Sequence, residues 1–241
     1  RPAVPVLLGQ LKTAPYDVRI FGCDPALDAY TGGERRIDVD GATHKWRYAG
    51  GHMHFSAKPS YAWMKDFRKV QIFVKMLDRL VGLPAAYMFQ SPEAWARRQH
   101  YGQAGEFRLQ NYPDGTSGIE YRTPGPEMWN HQATMSYLFG AGLDVFKRFT
   151  YYSRRWPMWA PQTAPIRHAI NAGTQLDLVM RLVFRGSPRQ LLRRAQQDPE
   201  LHEFRMLREH PVAKGHDCNH AGWDEWRDGS SSNYAEDEEE I

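Results

Sequence analysis

Two short stretches hold most of the residues whose type and spacing could do chemistry. The first is GGHMHFS at 50–56. In a strand, side chains alternate with period two, so His52, His54 and Ser56 share one face. Two imidazoles on one face can reach a single metal ion or a single phosphate, but alternate histidines can equally line a solvated strand. The second stretch is RRQHYGQAGEFR at 97–108, followed by GIEYRTP at 118–124. It places Arg97 and Arg98 near a helix end, and Arg108, Glu120 and Arg122 on two strands expected to pair. Glu120 and Arg122 then share a face, as do Glu106 and Arg108. Guanidinium groups beside a carboxylate suit phosphoryl transfer, because the cations neutralise the moving phosphate while the carboxylate holds the metal that bridges its oxygens. The same residues would also make an exposed ladder of ion pairs across a hairpin.

The elements that must position these groups can be read from periodicity. Lys45–Ser56 reads as a strand interrupted at Gly50 and Gly51, where a bulge or a close backbone approach is expected. Trp63, Phe67, Val70, Val74, Leu77 and Val81 recur at steps of four and three and predict a helix over 61–81, capped by Ser60 and stopped by Gly82. AAYMF at 85–89 reads as a strand, and Ser91 with Pro92 opens a short helix. Strands around Glu106–Gln110 and Gly118–Thr123 flank YPDGTSG, a hairpin loop. Helical stripes follow at Met135, Leu138, Phe139, Phe146 and Phe149, and at Leu176, Val179, Met180 and Val183, with one more short helix opened by Ser187 and Pro188. The first segment is turn-rich, with a brief alternation at Val18, Ile20 and Phe21.

A length of 241 residues suits one sizeable domain, expected over 1–228. Residues 229–241, GSSSNYAEDEEE and a final Ile241, have no apolar period and are expected to be a disordered acidic tail. The formal charge is +3, but Glu236, Asp237, Glu238, Glu239 and Glu240 supply five negative charges, which leaves +8 on the rest. That mildly basic surface suits phosphate-bearing small molecules; nucleic-acid binding is not expected. Two cysteines, Cys23 and Cys218, cannot build a disulfide framework, and no apolar run approaches a membrane span, so a cytoplasmic protein is expected. HDCNH at 216–220 has metal-binding residue types but lacks the second ligand pair of a structural zinc site. Arg181, Arg185, Arg189, Arg193 and Arg194 read as a solvated helical face.

Together these motifs resemble a known family. GGHMHFS is similar to the histidine strand of the glutamine synthetase superfamily, and the RR, YG, AG, FR and EYRTP segments in this order resemble its phage-type COOH–NH2 ligase (amidoligase) branch, as does FGCDP at 21–25. The resemblance covers about Val18 to Trp129 and implies an α+β fold, a glutamine-synthetase-like curved antiparallel sheet with helices packed on its outer face. It implies an ATP- and Mg-dependent (or Mn-dependent) ligase that joins a carboxylate to an amine through an acyl phosphate. By the same resemblance His52 and Glu120 are metal ligands. His54, Ser56 and Arg98 bind ATP, and Arg108 and Arg122 are catalytic. The substrates would be small-molecule or peptide carboxylates and amines, and an oligomer is compatible.

Two departures stand out. Gly118 replaces the arginine that glutamine synthetases carry two residues before the glutamate. No Glu-x-Glu pair precedes His52, and Asp24, Asp28, Glu34, Asp38 and Asp40 are not expected in a buried strand. The chain starts at Arg1 without Met, as a processed chain or fragment lacking the family's N-terminal segment would. The alternatives are a catalytically incomplete family member acting as a binding or structural protein, and a metal hydrolase using His52 and His54.

Overall fold

The computed structural model describes residues 2–15, 25–35, 39–41, 43–57, 62–130, 132–152 and 163–184. The alternation at Val18–Phe21, the cap at Ser60, both cysteines, HDCNH, the helix at Ser187, the arginines from Arg185 onward and the acidic tail lie outside these residues. The chain opens with β1 (Ala3–Pro5), α1 (Leu8–Thr13), β2 (Ala26–Asp28), β3 (Glu34–Arg35), β4 (Trp46–Tyr48) and β5 (Met53–Ala57). A helical block follows, with a 3-10 turn (Ala62–Lys65), α2 (Phe67–Leu77), a π turn (Asp78–Gly82), α3 (Leu83–Met88) and α4 (Pro92–His100). The hairpin β6 (Glu106–Asn111) and β7 (Ser117–Tyr121) leads through a 3-10 turn (Pro126–Trp129) into α5 (Gln132–Tyr152), α6 (Thr163–Ala172) and α7 (Leu176–Phe184). Among the described residues no helix is long and apolar enough to cross a membrane.

The class is α+β, and every strand pair is antiparallel. β1 pairs with β4, and the larger sheet runs β3-β2-β6-β7-β5. Its register sorts the side chains. Leu27, Phe107, Tyr121 and Met53 align across the strands, with Leu109, Ile119 and Phe55 in the next row of that face. This apolar face packs against Val70, Phe73, Val74 and Leu77 of α2 and Leu138, Val145 and Phe149 of α5. A second core joins α3, α6 and α7 through Leu83, Ile166, Ile170, Val179 and Met180.

The segment predicted as one strand over Lys45–Ser56 is two strands in different sheets. The switch falls at the glycines, where a Cβ on Gly51 would lie 2.1 Å from the Gly125 carbonyl oxygen. The helix predicted over 61–81 begins later and ends later. Its cap is Asp66, which accepts from the Arg68 and Lys69 amides, and the preceding turn tightens to 3-10. Trp63, Val70, Val74, Leu77 and Val81 are buried as predicted, but Phe67, at the first turn, is 37% exposed. Gly82 does not stop the helix. It makes room, since a Cβ there would sit 2.5 Å from the Tyr121 hydroxyl. AAYM is helix, not strand, with Phe89 as the extended residue after it, because a short apolar run has no distinguishing period and its alanines favour helix. Ser91 caps α4 through the Ala94 amide, as expected. On α5, Leu138 and Phe149 are buried while Phe139 is 55% exposed.

Candidate active site

The register that buries one face of the sheet lines the other with charge. Asp28 stands opposite Glu106, and the Arg122 amide bonds the Glu106 carbonyl, so these three make one row. Arg108, Glu120 and His54 make the next, and Gln110, Gly118 and Ser56 a third. His52, one residue before β5, turns back onto this face. Its Nδ1 is 2.7 Å from Glu120 Oε1. His52, His54 and Glu120 each bring a potential ligand atom to within 4.8 Å of the other two. The structure therefore gathers His52, His54, Glu120, Arg108 and Arg122, with Ser56 on the same face at the far end of β5.

Glu120 is the centre of this charge. Its side chain is nearly buried, with Arg108 Nη1 at 3.6 Å, Arg122 Nε at 3.6 Å and the Gln110 amide donating at 3.2 Å. Burial pushes its carboxyl up, but the His52 hydrogen bond and the charges of His52, Arg108 and Arg122 outweigh it and hold the group down at about 2. Glu120 is thus an anion throughout the physiological range, which is what a cation ligand requires.

The arginines divide into three kinds. Arg108 is on the open side, half-buried, and faces Glu120. Arg122 is 2% exposed and lies between Glu106 and Glu120, each 3.6 Å from its Nε, beneath the Tyr101 ring. Arg97 and Arg98 point inward. Arg97 donates to the carbonyls of Ala49, Arg122, Thr123 and Pro124, tying the approach to His52 to the exit from β7. Arg98, which the motif had suggested for ATP, instead donates twice to the Phe89 carbonyl and stacks on Trp95; burial pulls its guanidinium down to about 10. The reason is helical phase: Arg97 and Arg98 both fall on the buried side of α4.

Two features of the site were not singled out from sequence. Tyr101 donates to or accepts from His52 Nε2 at 2.7 Å, so His52 is held at both ring nitrogens, by Tyr101 and by Glu120. The YG of RRQHYG was the available signal. Asp28, which was not expected in a buried strand, is 4% exposed on β2 beside Glu106. Its carboxylate accepts from the Tyr30 amide and from Arg167 of α6. Glu106 in turn accepts from the amides of Gly102 and Gln103. With Glu106 and Glu120, Asp28 makes three buried carboxylates on this face. At Gly118 a Cβ would lie 2.8 Å from the ring of Tyr112, an exposed side chain, so crowding there does not account for the departure.

A family model described as phage phiEco32-like COOH.NH2 ligase-type 2 matches residues 37–176, more than half of the chain and a span that includes His52, His54, Arg108, Glu120 and Arg122. No curated protein and no solved structure matches.

Proposed function

The chain belongs to the phage phiEco32-like COOH.NH2 ligase-type 2 family, and on that premise we propose that it is an ATP- and divalent-metal-dependent ligase, working in the cytoplasm, that activates a carboxylate as an acyl phosphate and transfers the acyl group to an amine. The five-stranded sheet is read as the glutamine-synthetase-like platform, with helices on its apolar, outer face. The observation that carries the proposal is the convergence of His52, His54 and Glu120 within 4.8 Å beside Arg108.

The donor set fits a divalent cation. One anionic carboxylate and two imidazoles leave positions for phosphate oxygens, and nitrogen donors favour Mn2+ over Mg2+, which keeps to oxygen ligands. His54 is assigned to the metal as well as to the nucleotide, since a ring nitrogen lies within 4.8 Å of the ligand atoms of His52 and Glu120. Such an ion would draw charge from the phosphate oxygens. The chain's own residues do the rest. Arg108 faces the transferring phosphate as negative charge shifts during carboxylate attack, and its planar fork can take two oxygens at once. Arg122 acts from beneath, lying between Glu106 and Glu120 and helping to keep Glu120 anionic. Tyr101 fixes the ring plane of His52, and Ser56 offers a hydroxyl to the nucleotide. No side chain needs to become a nucleophile, because the substrate carboxylate and the amine supply both bond-forming electron pairs, and the amine's attack on the acyl carbon breaks its bond to the phosphate, which leaves as inorganic phosphate while the acyl group becomes the amide.

The test follows phosphate release with ATP, Mn2+ or Mg2+, and a panel of small and peptide carboxylates and amines. Turnover requiring both an acid and an amine, and lost in Glu120→Gln, is expected. Turnover undiminished in Glu120→Gln would contradict the assignment of the metal to this face.

A further inference from the structure

Asp78 belongs to none of the groups on the polar face. It is fully buried in the π turn between α2 and α3, on the apolar side of the sheet. Its Oδ1 accepts from the Tyr121 hydroxyl at 2.7 Å and shares the Thr123 hydroxyl, 3.2 Å away, with the Gln103 carbonyl, 2.9 Å from that hydroxyl. Tyr121 and Thr123 are the residues immediately before and after Arg122. Its Oδ2 accepts from the Tyr30 hydroxyl at 2.9 Å, and Tyr30 lies two residues beyond Asp28.

This arrangement follows from alternation. When Arg122 points to the polar face, its two neighbours point away from it, toward the helices. One carboxylate oxygen that accepts from Tyr121 and shares the Thr123 hydroxyl with the Gln103 carbonyl ties down the backbone on either side of Arg122 and sets the direction in which the guanidinium leaves the chain. The π turn brings Asp78 there, and Gly82 within it leaves the space that the Tyr121 hydroxyl fills. A plain structural role, a polar plug between helix and sheet, would need only that the hydrogen bonds be satisfied. It would not require that they bracket one site residue and follow another.

We propose that Asp78 is a positioning residue for the ligase site, fixing Arg122 through Tyr121 and Thr123 and the Asp28 end of the same face through Tyr30, a role that rests on the function proposed above. Arg122 in turn spaces Glu106 and Glu120, so a displacement at Asp78 is felt at the metal-binding carboxylate without any contact to it.

The experiment reads the Arg122 side chain directly. In the full chain labelled with 15N, the Arg122 Nε–H resonance is identified by its loss in Arg122→Lys. Asp78→Asn is expected to shift this resonance and speed its hydrogen exchange, and Thr123→Val to do the same in smaller measure, with Thr123→Ser restoring the wild-type signal. Leu77→Ala, next in sequence and buried but not bonded to β7, serves as the control for general loosening and is expected to leave the resonance in place. A resonance unmoved in both Asp78→Asn and Thr123→Val, or moved as far by Leu77→Ala, would overturn the proposal. These readings do not depend on turnover, so failure of the ligase reading is seen separately, as missing phosphate release in the wild type. Where turnover is measured, Asp78→Asn should lower kcat by about 10²-fold, the loss that a 1 Å misplacement can cause, with KM for ATP unchanged. An equal loss in Leu77→Ala would count against it.

Discussion

Replacing Arg122 by alanine should destabilise the fold as well as disable the site. The guanidinium is 2% exposed, and its Nε lies 3.6 Å from both Glu106 Oε1 and Glu120 Oε1. Removal leaves two nearly buried carboxylates without their shared cation, and breaking a buried pair by deleting one partner costs about 3–5 kcal/mol. The stacking of the guanidinium on Tyr101, 4.7 Å from the ring centroid, adds to the loss. Against a total stability of about 5–15 kcal/mol this is a large fraction. Urea titration followed by tryptophan fluorescence measures it, with buried Trp63 as a reporter of the core. Arg122→Met combined with Glu106→Gln should recover part of the loss, because the uncompensated charge, not the missing contact, dominates it. A loss below about 1 kcal/mol for Arg122→Ala, the scale of a surface change, would refute the claim that Arg122 is the buried counterion of both acids.

Other outcomes follow from the same geometry. Leu77→Ala should cost about 2–5 kcal/mol through the cavity it leaves between α2 and the sheet, and denaturant titration would show a smaller figure if that stripe were not core. Gly82→Ala should destabilise despite alanine's helix preference, by about 1–3 kcal/mol of overpacking less up to about 1 kcal/mol of propensity, because Tyr121 is buried and cannot yield; a stabilised variant would show that the π turn has slack. Burial pushes Asp78 up to about 7, only partly offset by hydrogen bonds from Tyr121, Tyr30 and Thr123, from an ordinary value of 3.8. The folded chain therefore keeps a proton there that the unfolded chain releases, so this group's contribution is present below about pH 4 and is lost as pH rises to about 7. Glu120, held down at about 2 against 4.5, works the other way: its contribution is present above about pH 4.5 and lost as pH falls toward 2. Comparing wild type with Asp78→Asn by urea titration at several pH values should show the wild-type advantage shrinking from acid to neutral pH. A constant gap would contradict the assignment.

Much of the polar face was legible because its logic is local. Period two within GGHMHFS and GIEYRTP is enough to predict shared faces, and the YPDGTSG turn fixes which strand meets which. What escaped the sequence depends on long-range registry. Asp28 joins Glu106 only because β2 pairs with β6, a neighbour 78 positions away in the register. Arg98 looked like a ligand because it sits in a charged motif, whereas the phase of α4 turns it to the Phe89 carbonyl. Gly82 looked like a helix stop, and the reason it is not lies on β7. Short apolar runs such as AAYMF have no period of their own, so their packing decided for helix. Tyr101 was visible only as part of a motif, since nothing in its sequence neighbourhood points to His52.

Acyl-phosphate formation, by attack of the substrate carboxylate on the terminal phosphate of ATP, is the core of the proposed mechanism. It is tested most directly by supplying the acid labelled with 18O in its carboxyl group, together with ATP, Mn2+ and an amine, and analysing the products by mass spectrometry. An acyl-phosphate route moves one labelled oxygen into inorganic phosphate, with ADP as the other nucleotide product. Label in AMP, or amide formation with no label in either phosphate product, would contradict the mechanism, and a wild-type chain that turns over no nucleotide with any acid and amine would put a binding role in its place.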